Sequence, residues 1–137
     1  MSARPGSLPA AADLPAQIRA AATRGQPLVL MVALAGCGFC DIVRRHYLAP
    51  MRAAGEVVAV QIDLQGQREL RSPTGQPMRE SQLAQGWRVV TVPTLLFLGP
   101  GGQELAPRLV GFSEHFYGGY LDQALATARQ RLADRPG

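Results

Sequence analysis

Two cysteines placed directly after a continuous apolar run, Cys37 and Cys40, constrain the fold of this chain more than any other feature. Residues 28–34 are apolar without alternation and have the length of a strand, which is typical of a central strand covered on both faces. Residues 40–51 then predict a helix, because apolar side chains recur at helical spacing at Phe39, Val43, Tyr47 and Leu48. Residues 56–63 are rich in β-branched side chains and predict a second buried strand. Strand, helix and strand in this order predict a βαβ unit with a right-handed crossover.

A helix is predicted before this unit and a polar connection after it. Asp13 can cap a helix over residues 14–24, with Pro15 in its first turn and Gly25 past its end. Residues 64–78 are rich in Gln, Arg, Gly, Ser and Pro, so we expect a long polar connection there.

The C-terminal part of the chain predicts a short helix, a hairpin and a last helix. The short helix spans about 79–86, and residues 94–98 form an apolar strand. The Gly-Pro-Gly-Gly sequence after it is a strong turn signal, so residues 104–110 are predicted to return as the partner strand, ending at Gly111. Ser113 is predicted to start a last helix that buries one apolar face, formed by Phe116, Tyr120, Leu121, Leu125 and Ala128.

Length and composition predict one domain with a sizeable core. The chain has 137 residues, of which 47% are hydrophobic, and it shows no internal repeat. Residues 1–12 are rich in Pro, Ala, Ser and Gly and are predicted to be a disordered lead. The domain is expected over residues 13–133, followed by a short tail at 134–137.

The charge pattern argues against nucleic acid as a partner. The net charge is +4, but every basic residue is an arginine, and these arginines are scattered rather than gathered into a stripe with aromatic residues.

No run approaches the ~18 apolar residues that a membrane span needs. Asp41 and Arg45, four residues apart, are expected to form an exposed ion pair on the helix.

The chain has only two cysteines, three residues apart, so any chemistry that they carry is confined to this one short segment. A disulfide that closes so small a loop removes little chain entropy and would be a poor structural staple. A structural zinc site needs four ligands, and only His46 and His115 remain, neither with metal-ligand spacing to the cysteines. We therefore expect no metal and no cofactor, and a redox role for the pair.

The order of these elements resembles the thioredoxin superfamily over residues 13–133. The motif Cys37-Gly38-Phe39-Cys40 follows a buried strand, Val92-Pro93-Thr94 precedes the next-to-last strand, and Gly111 follows the last. The resemblance implies an α/β thioredoxin fold: a central mixed β-sheet flanked by helices, with an N-terminal helix.

Differences from thioredoxin itself indicate which branch of the superfamily the chain resembles. Thioredoxin has Trp-Cys-Gly-Pro-Cys and a buried aspartate six residues before the first cysteine, where this chain has Gly36, Phe39 and Met31. The segment 72–78, followed by Gln-Leu-Ala and Thr-Val-Pro-Thr, resembles bacterial exported thioredoxin-like proteins, including the SoxW-type cell-envelope reductases. Cys-Gly-Phe-Cys is also similar to the Cys-Gly-Tyr-Cys of DsbC-type isomerases, whose separate dimerisation domain would not fit in this chain.

The site residues follow from helix chemistry and from this resemblance. Cys37 is expected to be the exposed nucleophile, because the N-terminus of a helix favours a thiolate. Cys40, one turn along, would resolve the mixed disulfide. The resemblance implies that Pro93 is cis and exposes the backbone before it to an extended substrate segment. The expected substrate-binding residues are Gly38, Phe39, Thr91, Val92 and Pro93.

The expected function is a thiol–disulfide oxidoreductase that reduces protein disulfides in the bacterial periplasm, as a monomer. Its partners would be protein disulfide or thiol substrates and a membrane thiol electron donor. Gly-Phe between the cysteines adds no charge or imidazole to stabilise a thiolate, which favours the reducing direction. A disulfide oxidase or isomerase and a dedicated partner-binding regulatory protein remain alternatives.

One segment imitates a lipoprotein signal. Residues 28–37 look like a short apolar signal region that ends in the lipobox Leu-Ala-Gly-Cys. Cleavage before Cys37 would remove the strand that the rest of the chain needs beside it, so we do not expect lipoprotein anchoring.

Overall fold

The computed structural model describes residues 6–135, which form a sheet with helices on both faces. In chain order the elements are α1 (Leu14–Thr23), β1 (Leu28–Ala33), α2 (Gly38–Val43), a π-helical turn (Arg44–Leu48), α3 (Ala49–Ala53), β2 (Val58–Asp63), β3 (Glu69–Arg71), β4 (Pro77–Arg79), α4 (Glu80–Gly86), β5 (Thr94–Leu98), a 3-10 turn (Pro100–Gly102), β6 (Leu109–Val110) and α5 (Tyr117–Ala133).

The central sheet is mixed, with strand order β2-β1-β5-β6. β1 runs parallel to β2 and antiparallel to β5, with Leu28 opposite Val58 on one side and Leu98 on the other. β6 is antiparallel to β5. Every residue of β1 is buried, as expected for a central strand. The predicted fold class is thus confirmed.

Alternate residues of β1 face two separate cores, because successive strand side chains point to opposite faces. Val29, Met31 and Ala33 belong to the core that includes Cys40 and the buried face of α5. Leu28, Leu30 and Val32 belong to the core formed with α1 and α4. The cysteine-bearing helix therefore lies on the α5 face of the sheet.

The prediction of a disordered lead is wrong for residues 6–12, the part of it that the structure describes. Ala11 N–H donates to the carbonyl of Gln61 at 2.9 Å, and Gln61 N–H donates to the carbonyl of Pro9 at 3.0 Å, so this segment runs parallel along the outer edge of β2. Leu8 is only 3% exposed. The reason is that β2 would otherwise present an unpaired edge, which the segment satisfies while burying its apolar side chains. Residues 1–5 and 136–137 lie outside the described residues.

The first helix agrees with its prediction, while the second differs. Asp13 Oδ1 accepts a hydrogen bond from the Ala16 N–H at 3.2 Å and caps α1. The helix predicted at 40–51 begins earlier, at Gly38, and passes through a π-helical turn in which the Ala49 N–H donates to the carbonyl of Arg44. It then continues past Pro50 to Ala53. Proline lacks an N–H and its ring clashes with the carbonyl four residues back, and the wider turn accommodates both effects.

The segment predicted as a polar connection and the strand predicted after β5 also differ from expectation. The segment 64–78 contains β3 and most of β4, which pair antiparallel. The partner strand predicted at 104–110 is reduced to β6 and one isolated bridge between Leu98 and Glu104.

The last helix begins at Tyr117 and not at Ser113. Tyr117 lies on the buried face of the helix, whereas Phe116, which precedes the helix, and Tyr120 are exposed, contrary to the prediction. Leu121, Leu125 and Ala128 are buried as predicted. No helix within residues 6–135 has the length and apolar character needed to cross a membrane.

Candidate active site

The two cysteines lie where β1 passes into α2. Gly36 has a φ of +77°, a left-handed conformation that L side chains rarely adopt, and it turns the chain from the strand towards the helix. Cys37 is the N-cap residue of α2, and its Sγ accepts a hydrogen bond from the Cys40 N–H at 3.1 Å. The two cysteines form a disulfide, with their Cα atoms 5.2 Å apart. The structure therefore shows the oxidised form of the pair.

The two sulfur-bearing residues differ in accessibility. Cys37 is partly exposed, whereas Cys40 is 0% exposed and belongs to the core cluster beneath the helix. An incoming thiol or disulfide therefore reaches Cys37 first. The same Cys40 N–H would donate to a thiolate at Cys37, and the start of the helix favours that negative charge.

The charged groups near the pair are already compensated. Asp41 forms an ion pair with Arg44 at 2.6 Å, and not with Arg45 as predicted. Arg44 also donates to Gln61 Oε1 at 2.9 Å, so the pair is tied to β2. Glu80, in a nearby polar cavity of about 280 Å³, accepts from the Asp63 N–H at 2.9 Å. These carboxylates have structural partners.

The segment before β5 reaches the same edge of the sheet. Val32 in β1 lies opposite Thr94 in β5, so the end of β1 and the start of β5 are neighbours. The Val92–Pro93 peptide bond is cis. Thr91 is exposed, and its carbonyl accepts from Thr94 Oγ1 at 2.6 Å. The cysteine motif after β1 and the Val92–Pro93 segment before β5, more than fifty residues apart in sequence, thus meet at this edge.

The backbone of this segment is open to a partner. The Pro93 carbonyl accepts from the Gly111 N–H at 2.8 Å. Within residues 6–135, neither the N–H nor the carbonyl of Val92 has a hydrogen-bond partner. The Val92 side chain packs against the core cluster that contains Cys40, as Cys37 does. An extended chain beside Cys37 would find these two groups unpaired.

Sequence reasoning missed an aromatic surface beside the cysteines. Phe39 is 58% exposed, and its ring stacks on Phe112 with centroids 5.6 Å apart. Together they line an open groove of about 620 Å³, here called the aromatic groove, formed by Phe39, Ile42, His46, Tyr47, Phe112 and Glu114. Phe112 directly follows Gly111, which is the signal that could have placed it near the motif.

Between residues 6 and 135, no group of three or more His, Cys, Asp or Glu side chains is arranged to hold a metal ion.

Comparisons with known proteins agree with this geometry. Residues 14–117 match the family described as "Thioredoxin-like domain". No curated protein matches the chain. Similar solved structures include a thioredoxin h from poplar, which is 18% identical, with a TM-score of 0.57 and coverage of 79% of this chain and 84% of that chain.

Two further thioredoxins show the same fold. A mutant thioredoxin from Halobacterium salinarum is 15% identical, with a TM-score of 0.57 and coverage of 93% of this chain and 96% of that chain. The thioredoxin of Fasciola hepatica is 17% identical, with a TM-score of 0.53 and coverage of 82% and 98%. At these identities the structural likeness shows the fold alone, whereas the match over residues 14–117 shows the family. The chain therefore belongs to the family of thioredoxin-like domains, and its Cys37–Cys40 pair makes it a thiol–disulfide oxidoreductase.

Proposed function

We propose that this protein reduces protein disulfides in the bacterial cell envelope by dithiol–disulfide exchange at Cys37 and Cys40. The observation that carries the proposal is the unequal exposure of the two cysteines, one at the surface and one in the core. Such a pair accepts a substrate at the first sulfur and releases it through the second.

The exchange conserves electrons and protons at each step. The Cys37 thiolate attacks one sulfur of the substrate disulfide, and the other substrate sulfur leaves as a thiolate that takes up a proton. Cys40 then loses its proton and attacks Cys37 Sγ, which releases the second substrate thiol. The substrate gains two electrons, and the protein is left with the Cys37–Cys40 disulfide seen in the structure. A dithiol donor must reduce this bond again, and we propose a membrane thiol protein for that role.

The surroundings of the pair support the reducing direction. Gly38 and Phe39 bring no charge or imidazole to the thiolate, and Met31 occupies the core that contains Cys40. A dithiol becomes a strong oxidant when its reduced form is strongly stabilised, and that stabilisation comes from groups of the kind missing at these positions.

Substrate contact is proposed at the open backbone of Val92. Its free N–H and carbonyl can pair with an extended segment of the substrate, as in strand addition. Thr91 and Pro93 shape this contact on one side of Cys37, with Gly38 and Phe39 on the other. We further propose that the protein acts as a monomer without nucleic acid, since one chain supplies both halves of the site.

The envelope location rests on the likeness of segment 72–78 to exported thioredoxin-like proteins. In the structure residues 72–76 of this segment form the turn between β3 and β4, where the Ser72 hydroxyl accepts from the Gln76 N–H at 3.2 Å, and residues 77–78 belong to β4. Lipid processing before Cys37 is not part of the proposal, because it would remove β1 from the centre of the sheet.

Two matched cysteine variants test the function. The reduced protein should reduce insulin, Cys37→Ser should abolish this activity, and Cys40→Ser should accumulate a mixed disulfide with substrate. Retained activity in Cys37→Ser, or no reduction by the unsubstituted dithiol, would contradict the proposal. A reduction potential near −120 mV, the value of DsbA, would instead assign an oxidase.

The Cys40→Ser variant also tests the location and the kind of partner. Expressed in the native compartment, it should capture several envelope proteins as mixed disulfides. Capture of one partner only would favour the dedicated regulatory role, and capture of cytoplasmic proteins would contradict the envelope location.

A further inference from the structure

We propose that the aromatic groove is a specificity subsite, which binds an aromatic or branched aliphatic side chain next to the reacting cysteine of a substrate protein. This inference rests on the proposed function and names a feature of its substrates. It concerns a surface beside the cysteines and not the exchange chemistry itself.

Position is the first argument. Phe39 lies between the two cysteines in sequence and is largely exposed, so the groove begins at the redox pair. A substrate held by a disulfide to Cys37 would extend its neighbouring residues, ~3.3 Å apart along an extended chain, over the surface on which Phe39 is exposed. The groove is thus continuous with the substrate contact.

Preorganisation is the second argument. Phe39 stacks on Phe112 at an interplanar angle of 28°. Tyr47 meets Phe112 edge-on at 6.4 Å and meets the buried Tyr117 at 5.1 Å, so the far wall is anchored in the core. A rigid apolar wall binds an apolar side chain at a low entropic cost. Its size, about 620 Å³, suits a side chain together with adjoining backbone.

The π-helical turn contributes to the groove. His46 and Tyr47 belong to this turn, and both line the groove with Ile42 of the preceding helix. The wider turn lets residues four and five positions after Ile42 share one face. Wide turns of this kind occur frequently at functional sites.

Charge at the rim adds a second specificity element. Glu114 is an exposed carboxylate that lines the groove, and no ion pair within residues 6–135 compensates it. A lysine or arginine that follows the apolar residue of the substrate would meet this charge. A second copy of the chain fits the groove less well as an occupant, because it would cover Cys37 and block the exchange.

Paired substrate peptides test the subsite. Two disulfide-linked peptides that differ only in the residue after the cysteine, Phe or Asn, are compared by kcat/KM. We expect the unsubstituted protein to prefer the Phe peptide about tenfold, which corresponds to ~1.4 kcal/mol. Phe112→Ala and Ile42→Ser should each reduce the preference to about twofold.

Matched controls isolate the groove. Phe116→Ala removes an exposed aromatic residue that does not line it, and the tenfold preference should persist. Glu114→Gln should abolish a preference for Lys over Glu at the next substrate position, whereas Asp122→Asn should leave it in place. Circular dichroism verifies folding, and Ile42→Ser supplies the answer if Phe112→Ala does not fold.

The possible outcomes separate this inference from the proposed function. If insulin is reduced but the peptide preference is absent, or survives in both groove variants, the subsite is refuted and the reductase stands. If insulin is not reduced, the proposed function itself fails. A dimer of the unsubstituted protein that Phe112→Ala converts to monomer would assign the groove to a second copy and overturn the inference.

Discussion

The hydroxyl of Tyr117 is the one buried side-chain polar atom without a hydrogen-bond partner among residues 6–135. The residue is 1% exposed and packs against Tyr47 and Phe112, with ring centroids 5.1 and 5.2 Å away. Burial raises the pKa of Tyr117 well above its ordinary value, and the nearby Tyr47 raises it further. This residue supports the aromatic groove from beneath at a cost in stability.

Replacing Tyr117 by phenylalanine should stabilise the protein by about 1 kcal/mol, because the variant no longer buries an unpaired hydroxyl. The ring and its contacts would be kept. The measurement is the urea midpoint at pH 7. Tyr120→Phe, at an exposed position of the same helix, is the control and should change stability by less than ~0.5 kcal/mol.

The same variant should alter the pH dependence at alkaline pH. Below the unfolded pKa of about 10, Tyr117 is neutral in both states and its contribution does not change with pH. Above that pH the unfolded chain loses this proton while the folded protein keeps it, so stability falls with a slope that approaches ~1.4 kcal/mol per pH unit. Tyr117→Phe should lack this part of the loss between pH 10 and 11, and equal slopes for the two proteins would contradict the assignment.

Single residues differed in how well the sequence predicted them. Cys37 and Cys40 were predicted because a fixed spacing after a buried strand carries their chemistry. The surroundings of Tyr117 and of the groove residue Phe112 were not predicted, because both pack against Tyr47, which is distant in sequence. The Ser113 carbonyl accepts from the Tyr117 N–H at 3.0 Å, yet the helix starts only at Tyr117, which is buried where Phe116 was predicted to be.

At the scale of elements, α1 depends on a single capping side chain. Asp13 Oδ1 satisfies the N–H of Ala16, one of the unpaired donors in the first turn. Asp13→Ala should lower the free energy of unfolding by about 1 kcal/mol, and Asp13→Asn should restore most of it, because asparagine also caps well. Chemical denaturation measures both, and equal losses in the two variants would show that the cap is not the cause.

The cysteine-bearing helix shows what local pattern could not predict. An interior proline such as Pro50 usually ends or kinks a helix, and the helix predicted over residues 40–51 stops just after it. In the structure the chain instead widens into a π-helical turn and continues to Ala53. Leu48 and Ala49 are both buried on either side of that change in register, so packing against the sheet maintains the helix.

At the scale of the whole molecule, the expectation of a central mixed sheet came from the resemblance and not from local pattern, and the strand order came only from the structure. Apolar runs predicted β1, β2 and β5 close to their observed bounds, since buried strands have a strong signature. The short strands β3, β4 and β6 have two or three residues each, and their pairing depends on neighbours that are distant in sequence. The edge segment before α1 was missed for the same reason.

That edge segment is predicted to stabilise the entire sheet. Leu8 is buried in the core that contains Cys40, and Pro9 and Ala11 pair with Gln61 of β2. Leu8→Ala should therefore lower the free energy of unfolding by about 2–4 kcal/mol, through lost burial and the cavity left behind. The control is Val90→Ala, at a position that is 85% exposed, and it should cost less than ~0.5 kcal/mol.

Hydrogen exchange distinguishes a loss of packing from a loss of the edge. The Gln61 N–H donates to Pro9, so its protection should fall in Leu8→Ala by more than the global loss of stability explains. Amides of β1, which pair on both sides with β2 and β5, should follow the global change. If Gln61 instead keeps its protection relative to β1, the segment stays paired without Leu8, and backbone hydrogen bonds rather than side-chain burial hold it against the sheet.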